Sequence, residues 1–303
     1  MGEGLLTEPW WPTEALAEAT VGRPCRTRMG EASLLGECLL TEPKLRVESE
    51  YHIRMWSEIQ RSFQSLCAEE KRPGLLATVP LAEIWLLPEQ AEYLRRKLAG
   101  LYALEEGITA VSVGMAYHRD EIEAIPGEWT ARIPPGSRWD DYSHAYAQLN
   151  NSLNRVSRAL AEEYGGVAET ATLEGMVEQV THVSQYFPLC VSHRAVAEAA
   201  GLGWRGRHGL VVTPEYGPAL RLATVFVPGR IESPRRQLPG CGTCRACIEV
   251  CPILDKGIGR SDPNAYREMC RRRIISLRLD DEVCGICVRR CWEITCGEQR
   301  QIR

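Results

Sequence analysis

Eight cysteines between residues 241 and 291 stand at intervals that dictate what the last third of this 303-residue chain can fold around. The run opens Cys241-x2-Cys244-x2-Cys247-x3-Cys251-Pro252, passes a lone Cys270, and closes Cys284-x2-Cys287-x3-Cys291. Thiolates are soft metal ligands. Three of them on one short loop reach three points around a compact centre, and the fourth must come from elsewhere. Ligand bonds of that kind tie two halves of a small module together without a large apolar core.

The first run is the bacterial ferredoxin spacing, in which the fourth cysteine ligates the other of two clusters. On that pattern Cys241, Cys244, Cys247 and Cys291 hold one 4Fe-4S cluster, and Cys251, Cys270, Cys284 and Cys287 hold a second. Such clusters move single electrons, so the expected function is redox. Two zinc sites or disulfides are the alternatives. A Cys-x2-Cys pair suits zinc, but the full run is not a usual zinc spacing. Disulfides need an oxidising compartment. Cys296 is a spare thiol or a replacement ligand. Trp292 stands where such motifs often carry proline, so a different last turn is expected.

The chain is long enough for one large domain and one small one. It has no apolar run that could span a bilayer, and its first residues lack the basic flank of a secretory signal. The expectation is a soluble cytoplasmic protein with no membrane partner. Charge is uneven: residues 231–303 carry 14 Lys and Arg against 10 Asp and Glu, and the remainder carry 22 against 30. Arg271, Arg272 and Arg273, beside Cys270, could tune a cluster, guide an acidic electron donor, or form a solvated helix face.

Residues 1–50 are irregular, and GEGLLTEP at 2–9 echoes as GECLLTEP at 36–43. From residue 51 helix and strand patterns alternate. Ile53, Trp56, Ile59, Phe63 and Leu66 share a helical face. Pro88–Leu98 reads as a helix that Gly100 ends. Val111, Val113, Met115 and Tyr117 alternate as a strand. Tyr142, Ala145, Leu149, Leu153, Val156, Leu160 and Tyr164 mark a long amphipathic helix. Ala195–Ala200 is a short helix, and strands fall at 210–212 and 222–227. This predicts an α/β layered domain over 51–230, a junction at 228–240, and a ferredoxin-like module over 231–303.

Between the two lies GLGWRGRHG at 201–209. Gly201 and Gly203 can end a helix and admit a close turn. Gly206 and Gly209 are expected to leave amides open to a ligand, with Trp204, Arg205, Arg207 and His208 beside them.

The stretch AEAAGLGWRGRHGLVVTPEYGPALRLA, with the cysteine motif after it, resembles the superfamily of reductive dehalogenases and epoxyqueuosine reductases. AVSVGMAY at 110–117 and WDDYSHAY at 139–146 resemble segments of the same families. In wording the glycine segment looks closer to the dehalogenases. The resemblance implies a nitroreductase-like domain that binds cobalamin, with two 4Fe-4S clusters feeding electrons to cobalt. It makes Gly201, Gly203, Trp204, Gly206, Arg207, His208 and Gly209 candidate cofactor contacts. The sequence has no Asp-x-His-x-x-Gly, so the cobalamin is expected base-off.

The acidic proton donor of epoxyqueuosine reductases aligns with Phe187, their following proline with Cys190, and the glutamate after it with His193. The chain ends soon after the cysteines, without the helical repeats many of those enzymes add. The expectation is therefore a small organic substrate rather than tRNA, and an external low-potential donor such as a ferredoxin or flavodoxin. Tyr186, Tyr142 and His144 are the candidate proton donors, and Arg207 and Arg221 their basic partners. An electron-transfer protein that reactivates a corrinoid, and a ferredoxin-type carrier with a non-corrin scaffold, are the rival functions.

Overall fold

The structure, a computed structural model, describes residues 42–102, 107–172, 185, 190–255 and 263–297, with side chains from residue 54 and, in the helix that starts at 263, from residue 267. The echo at 2–9 and 36–43 lies outside the described residues apart from its last two positions. Helix α1 (Glu42–Glu69) leads into β1 (Gly74–Pro80), α2 (Pro88–Lys97), α3 (Ala99–Tyr102), β2 (Ile108–Ala116), α4 (Arg119–Glu123), α5 (Trp139–Glu163) and β3 (Val167–Glu169). Then follow α6 (His193–Ala199), β4 (Trp204–Arg205), β5 (Val211–Val212) and β6 (Leu220–Pro228). The cysteine segment holds α7 (Ala246–Val250), α8 (Pro252–Asp255), α9 (Pro263–Leu277) and α10 (Ile286–Gly297).

The main sheet runs β1-β2-β6-β3, and every neighbouring pair is antiparallel. Side chains alternate along a strand, so β2 sends Val111, Val113 and Met115 to one face and Ala110 to the other. On the first face they pack with Ile59 and Phe63 of α1 and Leu149, Leu153, Val156 and Leu160 of α5. On the second, Ala110 and Phe226 pack with Leu94, Leu98, Val196 and Ala197. Helices cover both faces, which is why β2 is buried at every residue after Ile108. The architecture is α/β. Truncating Leu149 or Leu153 to Ala would cost about 2–5 kcal/mol.

Two sequence expectations need adjusting. Gly100 does not end a helix; it lies inside the short α3, and Leu98 caps α2 instead. Strand β1 escaped notice because GLLATVP shows no alternation of apolar and polar residues and closes on proline. Its Gly74 lets α1 come close: a Cβ there would meet the Phe63 ring at 2.5 Å and the Gly114 carbonyl at 2.7 Å.

Residues Glu48–Arg303 form one compact unit. Leu277, Leu279, Val283, Ile286 and Val288 of the cysteine segment join the same core as Ile125, Trp139 and Tyr142. Cysteine helices and sheet therefore share apolar packing.

Candidate redox site

By their electrostatic influence on one another the thiols divide into two sets. Burial pushes Cys291 up to about 12, and Cys247, Cys241 and Cys244 push it the same way. Cys247, raised to about 11 by burial, feels Cys241 and Cys244. Cys270 is raised to about 12 by burial and then by Cys284 and Cys251. Cys287 is driven well above the ordinary thiol value by burial, with Cys270, Cys284 and Cys251 next in effect. Cys287 also feels Cys247, which joins the two groups.

Thiols held up like this stay protonated at neutral pH unless a metal replaces the proton. Four thiols in each set suit a 4Fe-4S cluster. Among the described residues, no three His, Cys, Asp or Glu side chains stand at the spacing of a single metal ion. Exposure differs across the set: Cys244 is exposed, Cys247 is buried, and the other six are half-buried. Cys296 acts on the first group more weakly, through Cys291. Its thiol points to the Glu215 carbonyl at 3.7 Å and lines a 540 Å³ cavity with Arg119, Arg289 and Trp292. Helix α10 runs through Trp292 without a break, and the Arg119 guanidinium lies 5.7 Å from that ring.

The three arginines after Cys270 do different work. Arg271 and Arg272 both bind Glu268, and the Arg271 hydrogen bond leads in holding that carboxyl down to about 2. Arg273 instead lies 4.4 Å from the Trp129 ring centre and donates to the carbonyls of Ala131, at 3.0 Å, and Thr130. Burial raises the Cys284 thiol; the Ile286 amide and Arg273 oppose it.

The start of α5 supports the second thiol group. The Trp139 indole N–H donates to the Cys284 carbonyl at 2.7 Å. Gly285, at φ +79°, sits so close that an added Cβ would meet the Tyr142 ring at 2.6 Å. Tyr142 packs 5.2 Å from Tyr117, ring centre to ring centre. It is only 2% exposed, and burial drives its hydroxyl well above the ordinary tyrosine value. Tyr142 is thus a packing bridge, not an accessible proton donor. His144 is no better placed: it is an exposed residue paired with Asp280 at 2.7 Å. Tyr186 and Phe187 lie outside the described residues.

Arg221, on β6 opposite Met115, reaches over the sheet face to α5. Its Nε–H donates to Asn150 Oδ1 at 2.7 Å, and a terminal nitrogen donates to the Tyr146 hydroxyl and the Thr172 carbonyl, both at 3.3 Å. The guanidinium also stacks 4.4 Å from the Tyr146 ring centre. Tyr146 and Asn150 were not among the sequence candidates. Their signal was present, because Tyr142, Tyr146 and Asn150 stand four residues apart on one helical face. Nearby, His193 Nε2 donates to the Thr170 carbonyl at 2.9 Å, which leaves Nδ1 to accept from the Thr224 hydroxyl at 3.0 Å. Burial lowers this imidazole to about 4. His193 is therefore a neutral structural group.

The glycine segment departs from expectation. Gly201, at φ +71°, closes α6 as expected. Gly203 permits a backbone crossing, since a Cβ there would stand 2.3 Å from the Val212 carbonyl oxygen. The Gly206 amide donates to the Leu210 carbonyl and the Gly209 amide to the Gly206 carbonyl, both at 2.8 Å. These amides close a hairpin and are not open to a ligand. His208 is 3% exposed and is lowered to about 4 by burial. Arg207 reaches the Gly242 carbonyl at 2.8 Å, on the cysteine loop. Trp204 is half-buried, and its indole N–H meets no partner among the described residues. A 970 Å³ cavity lined by Leu81, Ile84, Trp85, Tyr102 and Arg230 lies at the other end of the sheet and includes none of the expected site residues.

No protein-family model matches the chain. Over 162 residues it is 31% identical to the epoxyqueuosine reductase of Lactococcus garvieae, a match covering 52% of this chain and 41% of that one. Over 76 residues it is 42% identical to the enzyme of that name from Listeria monocytogenes, covering 24% and 20%. The chain thus spans well under half the length of these relatives. Among solved structures, the Streptococcus thermophilus epoxyqueuosine reductase matches 80% of this chain and 66% of its own, with TM-score 0.41 and 21% identity. An epoxyqueuosine reductase with an epoxyqueuosine-modified tRNA stem loop matches at TM-score 0.38 and 17% identity, over 67% and 52%. These relatives support the wider superfamily but not a closer likeness to dehalogenases. The expectation of a small organic substrate, with tRNA set aside, is corrected: the sequence relatives are named epoxyqueuosine reductases.

Proposed function

We propose that this chain is a cytoplasmic oxidoreductase of the epoxyqueuosine reductase kind, acting on a modified nucleoside of tRNA with two 4Fe-4S clusters and base-off cobalamin. In this reading residues 51–230 form the nitroreductase-like cobalamin domain and residues 231–303 the ferredoxin-like one. The observation that carries it is two sets of mutually acting thiols, the second tied through the Cys284 carbonyl to the start of α5, the helix that also bears Tyr146 and Asn150.

Cys241, Cys244, Cys247 and Cys291 would hold one cluster, and Cys251, Cys270, Cys284 and Cys287 the other. Cobalamin supplies a strongly reducing cobalt centre when bound. The hairpin that closes Gly206 and Gly209 upon themselves offers the corrin no amide cradle, so no step is derived through it. The chain's own chemistry is clearer at Arg221. A guanidinium held by Asn150 and stacked on Tyr146 is a fixed positive charge beside a phenol. The Tyr146 hydroxyl that accepts from this guanidinium is the group placed to pass a proton to a substrate oxygen gaining negative charge during reduction.

The test is anaerobic purification, iron and sulfide analysis, reconstitution with cobalamin, and turnover on a tRNA stem loop bearing epoxyqueuosine. About eight irons per chain, as a two-cluster motif requires, a bound corrin spectrum and substrate consumption would support the assignment. Eight irons with no corrin and no turnover would favour an electron carrier, a second reading consistent with the closed glycine hairpin.

A further inference from the structure

Tyr146, Asn150 and Asn154 follow one another at four-residue steps, so they form one ridge of α5. The first two hold Arg221. Asn154 does something else. It is buried, and its Oδ1 accepts from the Ala171 amide at 2.8 Å. Asparagine is a poor helix former, and a buried carboxamide is costly unless it is bonded. This bond is what the position gains in return. The β3–β6 ladder ends at Glu169 and Thr224, so the buried Ala171 amide lies past the sheet and takes its partner from the helix. The residues on either side are gripped too. The Thr170 carbonyl accepts from His193 at 2.9 Å, and the Thr172 carbonyl accepts from Arg221 at 3.3 Å. Three consecutive residues, 170–172, are thus fixed by side chains of α6, α5 and β6.

We infer that Asn154 is a positioning residue for Tyr146, acting through Ala171, the Thr172 carbonyl and Arg221. This rests on the proposed role of Tyr146 as proton donor. The Arg221 nitrogen that donates to the Thr172 carbonyl, Nη2, is the one that also donates to the Tyr146 hydroxyl. Hydrogen bonds weaken steeply as they lose alignment. A carbonyl that moves therefore redirects the nitrogen that Tyr146 shares. The Ala171 amide lies one residue before that carbonyl, and Asn154 is what holds it in place. Asn154 acts through its neighbours and is not a catalytic residue.

The experiment uses the full chain, prepared anaerobically with carbon-13 at tyrosine Cζ, whose resonance follows the hydrogen bonding of the hydroxyl. The peak lost in Tyr146→Phe is assigned to Tyr146. Asn154→Leu keeps the volume, deletes the acceptor and should displace this resonance. Ser157→Ala removes another buried hydrogen bond of α5, to the Leu153 carbonyl, and should leave the resonance in place. An unmoved resonance in folded Asn154→Leu overturns the inference, as does an equal displacement in Ser157→Ala. On an epoxyqueuosine-bearing stem loop, Asn154→Leu should lower kcat about tenfold with KM held, the mark of a misplaced acid. Asn154→Asp returns an acceptor oxygen to the same place and should restore most of that rate. A raised KM with kcat intact in Asn154→Leu overturns the inference. A displaced resonance in a series whose wild type does not turn over overturns the proposed activity and leaves the coupling of Asn154 to Tyr146 standing. Should Asn154→Leu fail to fold, Asn154→Gln decides: it keeps the amide but carries it one carbon further, and a displaced Tyr146 resonance is again expected. An unmoved one overturns the inference.

Discussion

The indole N–H of Trp139 and the backbone carbonyl of Cys284 meet at 2.7 Å across 145 residues of chain. Trp139 is wholly buried at the start of α5. Together with the His144–Asp280 pair and the Asp281 amide bond to Ser143, this bond fixes the loop between α9 and α10 to the helix that also carries Tyr142, Tyr146 and Asn150.

Trp139→Phe keeps most of the ring and deletes the donor. The Cys284 carbonyl then loses a buried partner, at a cost of about 1–3 kcal/mol. Thermal unfolding of the purified protein should register that loss. Gly285→Ala should be worse, because it adds a left-handed backbone strain and a collision with Tyr142. A Gly285→Ala protein as stable as wild type would show that the loop is not pinned there.

Cys291→Ser should remove one cluster and spare the other. Iron should fall from about eight to about four per chain. Cys296→Ser should leave the count unchanged, since its thiol points to the Glu215 carbonyl. Equal iron loss in both variants would make Cys296 a ligand.

Tyr146→Phe should slow turnover of an epoxyqueuosine-bearing stem loop by about 10²-fold, the lower end of what a positioned acid supplies. Tyr142→Phe should leave turnover within a small factor, because that hydroxyl is enclosed against Tyr117. Single-turnover kinetics on preloaded enzyme separates this step from electron delivery.

Acid should destabilise the fold over a definite range. His193 and His208 are both lowered by burial from 6.5 to about 4. Above pH 6.5 neither state of the chain binds a proton at these sites. Below it the unfolded chain binds protons that the native chain refuses, so the contribution of these two rings falls until pH 4 and then levels. Denaturant midpoints measured across that range should flatten in His193→Gln and His208→Gln, provided the variants fold. A midpoint independent of pH between 6.5 and 4 would contradict the burial of both rings.

The α5 stripe was legible because spacing in sequence reports directly on spacing in space there. Leu149, Leu153, Val156 and Leu160 repeat with the turn of a helix, and all four are buried. The glycine hairpin was misread for a different reason. A glycine shows that its backbone needs room or an unusual angle, but not which neighbour demands it. At Gly203 the neighbour is Val212, and at Gly206 it is His208. The Arg221–Asn150 pair spans 71 residues, so no local pattern could announce it. Tyr146 sat inside a quoted segment and passed unnoticed, because helical periodicity marks a face without telling which polar side chain on it meets a charge.

One corner of the eight-thiol arrangement faces water. Cys244 lies on an exposed turn, while Cys247, three residues on, is enclosed. Dioxygen and peroxide reach sulfur and iron where solvent does, so air damage to a loaded protein should begin at the 241–247 loop. A preparation handled briefly in air would then pass through a half-loaded state, its surviving iron retained beside Tyr142.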